Sequence, residues 1–455
     1  MKYRTEKDPM GEMTVPEDAY YGSQTERARR NFIDSGLKLP PIFLRALAMV
    51  KKHAAGVNGE LGLLDPERSE AIRQAAAEVV NGNFENQFVV DLFQTGSATS
   101  TNMNMNEVIA KRAAELTAGS DGERVAIHPN DHVNLGQSSN DAVPTAIHVA
   151  ALVSITADLD PALGDLEESL AEKSNGFRNI SKIGRTHLQD AVPIRMGDVF
   201  GGYARQIHLA RKRVKAASNG IHELPLGGTA VGNGLNTHPE FARRVIERIA
   251  SDTGIRFREA ENHFEAQAAR DAAVEISGSL KTVAVSLTKI ANDIRWLSSG
   301  PRCGLGELSI PSLQPGSSIM PGKVNPVISE SMIQIGAQVV ANDHAVTLGG
   351  MGGNFELNTM MPLIAYNLLQ SISLLAAGAV NFKANCIDGL TPRRKNSAAC
   401  LENSLALATY LVPALGYDRA AALAYKASAE DKSIRQVVLE ESALPEEALD
   451  KLFIF

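Results

Sequence analysis

A mainly α-helical fold with minor short strands near the N-terminus is predicted by three features of the sequence. Apolar residues recur at alternating spacings of four and three, which keeps one face of a helix apolar over several turns. Few segments alternate apolar and polar residues as a half-buried strand would. No regular succession of strand and helix patterns appears either, so a parallel sheet is not expected.

Three long apolar series support the helical prediction. Their spacing is typical of a helical bundle or a coiled-coil seam, and we expect their members to form core. Seams of this length exceed what one chain readily covers, which suggests oligomerisation. Pro161 interrupts the first series and predicts a kink or local break. The series are Leu152, Ile155, Leu159, Leu163, Leu166 and Leu170; Ile276, Leu280, Val283, Leu287, Ile290, Ile294 and Leu297; and Leu368, Ile372, Leu375, Ala379 and Phe382.

Composition limits the classes of function. A chain of 455 residues exceeds one ordinary core, so two or three structural regions are expected. The net charge of -7 comes without a basic stripe, which argues against nucleic-acid binding. Three cysteines without a CxxC pair support neither a disulfide scaffold nor a thiolate zinc site. We expect a soluble, cytoplasmic protein, because the N-terminus lacks an apolar signal region and no uninterrupted apolar stretch of about 18 residues is present.

Two motifs suggest ligand binding but do not meet the requirements of the corresponding sites. Residues 227–234 are as rich in glycine as a phosphate-binding loop but lack the following Lys-Ser or Lys-Thr. His128 and His132 have the spacing of metal ligands on a helix, but Pro129 and the residues after it predict a turn. No metal site and no cofactor are therefore expected.

Residues 315–326, PGSSIMPGKVNP, form the most informative segment. Three prolines and two glycines in twelve residues cannot continue a helix, so a polar loop is predicted. Asn325 followed by Pro326 favours a helix start, with Asn325 as N-cap and Pro326 at the first helical position. A helix N-terminus beside Lys323 suits a small anion such as a carboxylate. By composition alone, an ordinary surface turn is the favoured interpretation of this segment.

This segment resembles the signature of the fumarase and aspartase superfamily in its Gly-Lys-Val-Asn form. Six further segments resemble the same family and follow the family's order. The GGTAVG and NFELN segments and the pair Ser138 and Ser139 are more similar to class II fumarase than to aspartase, and His187 also favours it. The six segments are 96–99 (GSAT) with 102–107 (NMNMNE), 128–131 (HPND), 137–141 (QSSND), 184–190 (GRTHLQD), 227–232 (GGTAVG) and 353–358 (GNFELN).

The resemblance implies a three-domain fold around a central bundle of long helices. The domains would be a mainly helical N-terminal domain (1–134), the central helical bundle (135–389) and a small helical C-terminal domain (390–455). It further implies a homotetramer whose active sites combine residues of three subunits. The implied activity is a cofactor-free lyase of the tricarboxylic acid cycle that hydrates fumarate reversibly to L-malate. Addition and elimination would be anti, through an aci-carboxylate intermediate.

The resemblance also assigns the site residues. His187 would exchange a proton with water or the leaving hydroxyl, and Glu330 would orient it. Ser317 would be the base toward carbon, while Lys323 and Asn325 would meet the charge of the aci-carboxylate. Implied substrate contacts are Ser97, Ala98, Thr99, Ser138, Ser139, Asn140, Thr186, Ser318, Lys323, Val324 and Asn325. A second, non-catalytic anion site would comprise His128, Pro129, Asn130 and Asp131.

Some of these assignments have alternatives. Ser317 and Ser318 are indistinguishable from the residues alone. Ala98 stands where the family usually has glycine, and its methyl group is expected to crowd the backbone there. For Asn106, Asn130 and Asp141, a structural role as a helix cap or turn former is at least as well supported as a functional role.

Three hypotheses about function remain. Fumarate hydration is the leading hypothesis, and an aspartate ammonia-lyase on the same scaffold is the nearest alternative. A helical structural protein without catalysis is disfavoured because Ser317, Lys323, Asn325 and His187 are all present. The expected partners are small dicarboxylates, with no nucleic acid and no membrane.

Overall fold

The computed structural model describes residues 2–118 and 124–454 of a mainly helical chain, which is 62% helix with few short strands. The predicted fold class is confirmed. The chain forms two compact units. The first unit lies within residues 1–161, 212–284 and 337–376, and the second unit within 162–211, 285–336 and 377–455. The division into three domains at 134 and 389 stays a prediction.

The helices range from four to 27 residues. In chain order they are α1 (Ser23–Asn31), α2 (Pro41–Glu60), α3 (Pro66–Val80), α4 (Thr99–Leu116), α5 (Ser139–Ser154), α6 (Asp160–Gly176), α7 (Met196–Ala217), α8 (Phe241–Thr253), α9 (His263–Ala268), α10 (Asp271–Leu297), α11 (Val327–Gly350), α12 (Met361–Phe382), α13 (Arg394–Glu402), α14 (Val412–Leu415), α15 (Tyr417–Glu430), α16 (Ile434–Glu440) and α17 (Glu446–Leu452). Short 3-10 or π-helical segments lie at Glu85–Gln87, Pro129–Val133, Ile155–Leu159, Gly220–His222, Lys383–Ile387 and Leu405–Leu411.

The strands pair two by two, and most pairs lie beyond the N-terminal region to which the sequence assigned them. One pair, β5 with β6, is parallel and is connected through α8, but two residues per strand leave no readable sequence pattern. The other pairs are antiparallel. The pairs are β1 (Tyr3–Asp8) with β2 (Gly11–Pro16), β3 (Ser181–Thr186) with β4 (Gln189–Arg195), β5 (Glu223–Leu224) with β6 (Arg258–Glu259), β7 (Leu308–Ser309) with β10 (Thr391–Pro392), and β8 (Gly353–Asn354) with β9 (Leu357–Asn358).

The core of the first unit is organised around α2, which packs against α3 and α5. Its residues Phe43, Leu47, Val50, Ala54 and Val57 are fully buried and follow the four-three spacing of a single apolar face. Burying each large side chain on this face contributes about 1.5–3 kcal/mol before entropy is counted. This face fixes the position of α2 against α3 and α5.

The three apolar series predicted from the sequence are buried throughout. Every member from Ile276 to Ile294 is fully buried, and Leu297 is 8% exposed. The series from Leu368 to Phe382 is also fully buried, and that from Leu152 to Leu170 is nearly so. One chain therefore covers these seams, contrary to the expectation that they need a partner.

Pro161 produces the predicted local irregularity. It is the second residue of α6, and α5 runs into α6 through the π-helical turn Ile155–Leu159. Proline has no N–H to donate to the carbonyl four residues earlier, and the wider turn accommodates that loss. The predicted break is thus a change of helical pitch within a continuous helical stretch.

Two helical stretches, Ser139–Gly176 and Met361–Ile387, are long and apolar enough to cross a membrane by length and composition. Of the eighteen-residue window in each stretch, 72% and 61% are buried inside the protein. Their apolar residues serve as core.

In the second unit, the β3–β4 hairpin is anchored at its base. Ile183 of β3 belongs to the buried cluster formed by the C-terminal helices. Arg185 pairs with the fully buried carboxylate of Glu307 at 3.1 Å, and Lys182 lies 3.3 Å from the same carboxylate. A β-bulge between Ile183 and Arg185 centres on Gly184, where a methyl group would lie 2.8 Å from Val192 O. These contacts hold the hairpin while its tip extends outward.

Candidate active site

The predicted site residues divide between the two units. Those numbered 97–99, 128–131 and 138–140 belong to the first unit, and those numbered 186–187, 317–318, 323–325 and 330 belong to the second unit.

In the first unit, the starts of α4 and α5 meet in a chain of three hydroxyl groups, the hydroxyl cluster of Ser97, Thr99 and Ser139. Thr99 Oγ1 lies 2.8 Å from Ser97 Oγ and 2.7 Å from Ser139 Oγ. Ser97 and Ser139 are buried, at 7% and 8% exposure. Because two helix N-termini begin here, the cluster provides hydroxyl groups and positive backbone potential in one place.

Ala98 lies between two members of the hydroxyl cluster in the left-handed conformation, with φ 55°. An alanine in this region is strained by roughly 1–2 kcal/mol relative to glycine. The Ala98 side chain is fully buried, so its methyl group does fill space at this position. Gly96 is more restrictive, since a methyl group there would overlap Thr359 O.

The start of α5 is fixed by Asp141, which confirms its reading as a cap. Its Oδ1 accepts the N–H of Ser138 at 2.9 Å, in a capping box with the Ser138 side chain. Its Oδ2 accepts the N–H groups of Gly227 at 3.0 Å and Thr229 at 2.9 Å. Complete burial raises the pKa of Asp141 to about 6, against the lowering effect of these three N–H donors. The neighbouring Asn140 Nδ2 donates to Ala230 O at 2.8 Å.

The predicted second anion site is a single π-helical turn, Pro129–Val133, rather than a simple turn. His128 Nδ1 accepts the N–H of Asp131 at 3.1 Å, and His132 Nδ1 accepts the N–H of His128 at 2.8 Å. His128, Asn130 and Asp131 are exposed. Within residues 2–118 and 124–454, no three or more His, Cys, Asp or Glu side chains are grouped to hold a metal ion.

In the second unit, Thr186 and His187 lie at the exposed tip of the β3–β4 hairpin. His187 and Leu188 both have positive φ, 56° and 61°, as a two-residue hairpin turn of type I′ requires. Glu330 is half-buried in the first turn of α11. Among the described residues, neither the His187 ring nor the Glu330 carboxylate has a hydrogen bond or ion pair, so one chain does not join this predicted pair.

The lysine loop (residues 315–326) is closed by contacts between its two ends. Gly316 N donates to Lys323 O at 2.8 Å, and Asn325 Nδ2 donates to Gly316 O at 2.7 Å. Asn325 is therefore not the N-cap that the sequence predicted. The helix begins one residue later, because Pro326 O accepts the first helical N–H, that of Glu330, at 3.0 Å.

The lysine loop separates the two serines that the sequence could not tell apart. Ser317 is half-buried, and its Oγ accepts the N–H groups of Ile319 at 3.2 Å and Met320 at 3.0 Å. Ser318 is exposed. Lys323 and Val324 are exposed and, with Ser317, line a cavity of about 450 Å³. The loop thus presents one hydroxyl group with backbone donors and one ammonium group beside the same cavity.

Lys51 is a charged residue near the site that the sequence reasoning missed. It lies on α2 and is fully buried, and its Nζ donates to Asn134 Oδ1 and Gln137 Oε1 at 2.8 and 2.9 Å. Burial lowers its pKa to about 7. The signal that could have identified Lys51 is its position four residues after the core residue Leu47, since this spacing places both side chains on the same face of a helix.

Comparison with known proteins places the chain in a family. The family model for lyases matches residues 11–341, and the model for the fumarase C C-terminus matches residues 407–454. The chain is 50% identical to a class II fumarate hydratase of Bordetella parapertussis, over 98% of this chain and 96% of that protein. It is 53% identical to one of Halobacterium salinarum, over 99% and 96% of the two chains. The crystal structure of a class II fumarase from Schistosoma mansoni is 39% identical, with a TM-score of 0.95 over 99% and 98% of the two chains.

The fold, the polar helix starts and the family models define the class of protein, a lyase and more narrowly a hydro-lyase. The chain belongs to the class II fumarate hydratase family, because its relatives match it over nearly the whole length at half identity or more. The family assignment made from the sequence motifs is confirmed, and this reading is favoured over the aspartate ammonia-lyase.

Proposed function

We propose that the protein hydrates fumarate reversibly to L-malate as a step of the tricarboxylic acid cycle. The observation on which this rests is the identity of about one half, along the full chain, with proteins named class II fumarate hydratase. The reaction adds or removes water in anti fashion through an aci-carboxylate intermediate. No metal or cofactor is assigned to any step.

Ser317 is the base that takes the carbon-bound proton. A serine alkoxide needs stabilisation, and the N–H groups of Ile319 and Met320 already point at Ser317 Oγ. Ser318 has no such donors among the described residues and is assigned to substrate contact. The hydrogen-bond pattern thus supports the choice of the first serine.

Lys323 and Asn325 stabilise the charge that builds up on one carboxylate as the carbon proton leaves. A fixed ammonium group directed at the developing dianion lowers the barrier more than it stabilises the bound substrate. The start of α11 adds positive backbone potential at the same end of the lysine loop. Val324 lies between the two groups and lines the site.

His187 exchanges a proton with the water or leaving hydroxyl group, and Glu330 orients the imidazole. An imidazole can both give and take a proton near neutral pH. Within residues 2–118 and 124–454 of one chain these two side chains have no partner, which supports a site assembled from several subunits. The assembly proposed is a homotetramer with composite sites, in the cytoplasm, free of nucleic acid and membrane.

Substrate binding is assigned to the hydroxyl cluster, to Ala98, to Ser138 and Asn140 at the start of α5, and to Thr186. These groups supply hydrogen bonds that suit carboxylates without adding charge. Residues 128–131 form the second anion site, and the three domains divide at 134 and 389. Apolar side chains that remain exposed on α10–α12 are consistent with subunit contacts; they are Val285, Trp296, Val340, Leu348 and Val380.

The activity is tested by mixing the purified protein with L-malate or L-aspartate, with and without a chelator, and following the ultraviolet absorbance of fumarate. We expect fumarate from L-malate at a rate that the chelator does not change. Robust activity on L-aspartate with none on L-malate would reverse the assignment in favour of an ammonia-lyase.

The composite site is tested by unfolding His187→Asn and Lys323→Ala together and reassembling them. Partial activity should return, because some mixed sites contain only wild-type residues. Mixed tetramers without any recovered activity would contradict the composite site.

A further inference from the structure

Lys51 stands out because an ammonium group is buried in the apolar face of α2 and yet directed at the substrate-binding segment. Its side chain is fully buried, four residues after Leu47, whose side chain is also fully buried. Taking a charge out of water is costly unless hydrogen bonds and nearby charge offset it. Lys51 Nζ obtains two such bonds, to Asn134 Oδ1 and Gln137 Oε1, at 2.8 and 2.9 Å.

Both acceptors belong to the turn that leads into α5. Asn134 Nδ2 donates to Gln137 O at 3.1 Å, and Gln137 N donates to Asn134 O at 3.0 Å, so the turn is closed on itself. Asn134 Oδ1 also accepts hydrogen bonds from Asn102 Nδ2 and Asn106 Nδ2 of α4, each at 3.2 Å. Lys51 therefore links α2, α4 and the turn through one shared amide oxygen.

The substrate-binding residues assigned to α5 follow this turn directly. Gln137 is bonded to Lys51, and Ser138 is the next residue in the chain. At the other end of residues 138–140, the Asp141 carboxylate accepts hydrogen bonds from the N–H groups of Ser138, Gly227 and Thr229. Residues 138–140 are thus fixed between a buried ammonium group and a buried carboxylate.

From this geometry we infer that Lys51 is a positioning residue for substrate binding, which holds Ser138, Ser139 and Asn140 in place through Asn134 and Gln137. Lys51 touches neither substrate nor reacting atoms. The inference rests on the proposed function, because that function assigns residues 138–140 to the dicarboxylate. Since these residues bind and do not move protons, Lys51 affects affinity more than turnover.

The test compares wild type with Lys51→Met, which keeps the length and apolar stem of the side chain but removes the ammonium group. The readouts are kcat and KM for L-malate and the Kd of succinate, a saturated dicarboxylate that the enzyme does not turn over. We expect KM and the succinate Kd to rise by about tenfold or more, with kcat within about threefold of wild type.

Leu47→Ala is the matched control on the same helix face. It should lower the melting temperature through a core cavity but leave KM and the succinate Kd within about twofold. If Lys51→Met does not fold, the inference is tested with Gln137→Met instead. This variant removes one of the two acceptors of Lys51 Nζ and keeps the other, Asn134. We expect Gln137→Met to raise KM and the succinate Kd by about threefold.

An unchanged KM and succinate Kd in folded Lys51→Met, or in Gln137→Met if that variant decides, overturns the inference. So does an equal loss of affinity in Leu47→Ala, since the effect would then be one of general stability. Failure of the proposed function looks different: the wild-type protein would produce no fumarate from L-malate, whatever the variants do.

Discussion

The hydroxyl cluster and the lysine loop both lie at helix starts, but they are supported in opposite ways. Ser97 and Ser139 are 7% and 8% exposed and are joined through Thr99. In the lysine loop, Ile319 is 83% exposed and Met320 is 47% exposed. The hydroxyl cluster is thus held by the core of its unit, whereas the residues assigned to proton removal and charge stabilisation lie on a loop.

This difference has an electrostatic consequence. A charge exposed to water stabilises a nearby anion weakly, whereas the same charge in a site closed to water acts strongly. Lys323 can therefore contribute fully only when other parts of the enzyme cover the lysine loop. The hydroxyl cluster needs no such cover, because its hydroxyl groups are already hydrogen-bonded and largely removed from solvent.

The largest effect is expected in the lysine loop, from Ser317→Ala. Removing the proton acceptor should lower kcat by about 10²- to 10⁴-fold and leave the succinate Kd nearly unchanged. Ser318→Ala is the matched control, with a much smaller loss that lies mainly in KM. Initial rates and succinate titrations of both variants separate the two serines, and a larger kcat loss in Ser318→Ala would reverse their roles.

Lys323→Met should come next, with kcat/KM lowered by about 10²- to 10³-fold because the fixed charge opposite the dianion is lost. Both kcat and KM should suffer, in contrast to Ser317→Ala. Lys395→Met, at another exposed lysine of the second unit, controls for a general change of charge. Equal rates for Lys323→Met and its control would remove Lys323 from the mechanism.

On the side of the hydroxyl cluster, Asp141→Asn should act on stability before chemistry. The amide nitrogen cannot accept backbone N–H groups, so one or two buried donors lose their acceptor, at a cost of about 2–4 kcal/mol in unfolding free energy. Denaturant unfolding measures this cost, with the exposed Asp18→Asn as control. A loss no larger than that of the control would show that this segment is not held by Asp141.

The smallest effect concerns the pH dependence of stability at Lys51. Its pKa is lowered to about 7 in the folded protein, so between about pH 7 and 10.5 the unfolded chain binds more protons at this residue. The contribution of Lys51 to the unfolding free energy therefore rises with pH, by at most about 1.4 kcal/mol per pH unit. Denaturant unfolding near pH 7 and near pH 8.5 should show wild type gaining about 1–2 kcal/mol relative to Lys51→Met. If the difference in unfolding free energy between wild type and Lys51→Met did not change with pH, the burial of the Lys51 side chain would be contradicted.

The long helices were predictable because their pattern is local. The spacing from Ile276 to Leu297 follows from one helical period, and the structure buries every member. Pro161 was predictable for the same reason, since its missing N–H acts within one helical turn. Polar residues at helix starts were recognised through motifs, and the capping box of Ser138 and Asp141 is a short-range arrangement.

Other features depend on residues far apart in the chain. Asn325 was expected to cap α11, but its amide bonds to Gly316 O across the lysine loop. The β3–β4 hairpin was not expected, and its base is held by Glu307, more than one hundred residues away. No local period contains such information, because loop closure joins groups whose sequence separation is arbitrary.

The sequence by itself determined the helical fold class and the family, and it supplied the polar residues proposed for the site, since periodicity, proline and glycine placement and short motifs act over a few residues. Only the tertiary structure decided which serine of the lysine loop receives backbone donors. It also decided that Lys51 is bonded to the turn before Ser138 and that the His187 ring has no partner in the part of the chain that the structure describes. These outcomes require packing, because burial and hydrogen-bond partners are set by elements that meet only after the chain has folded.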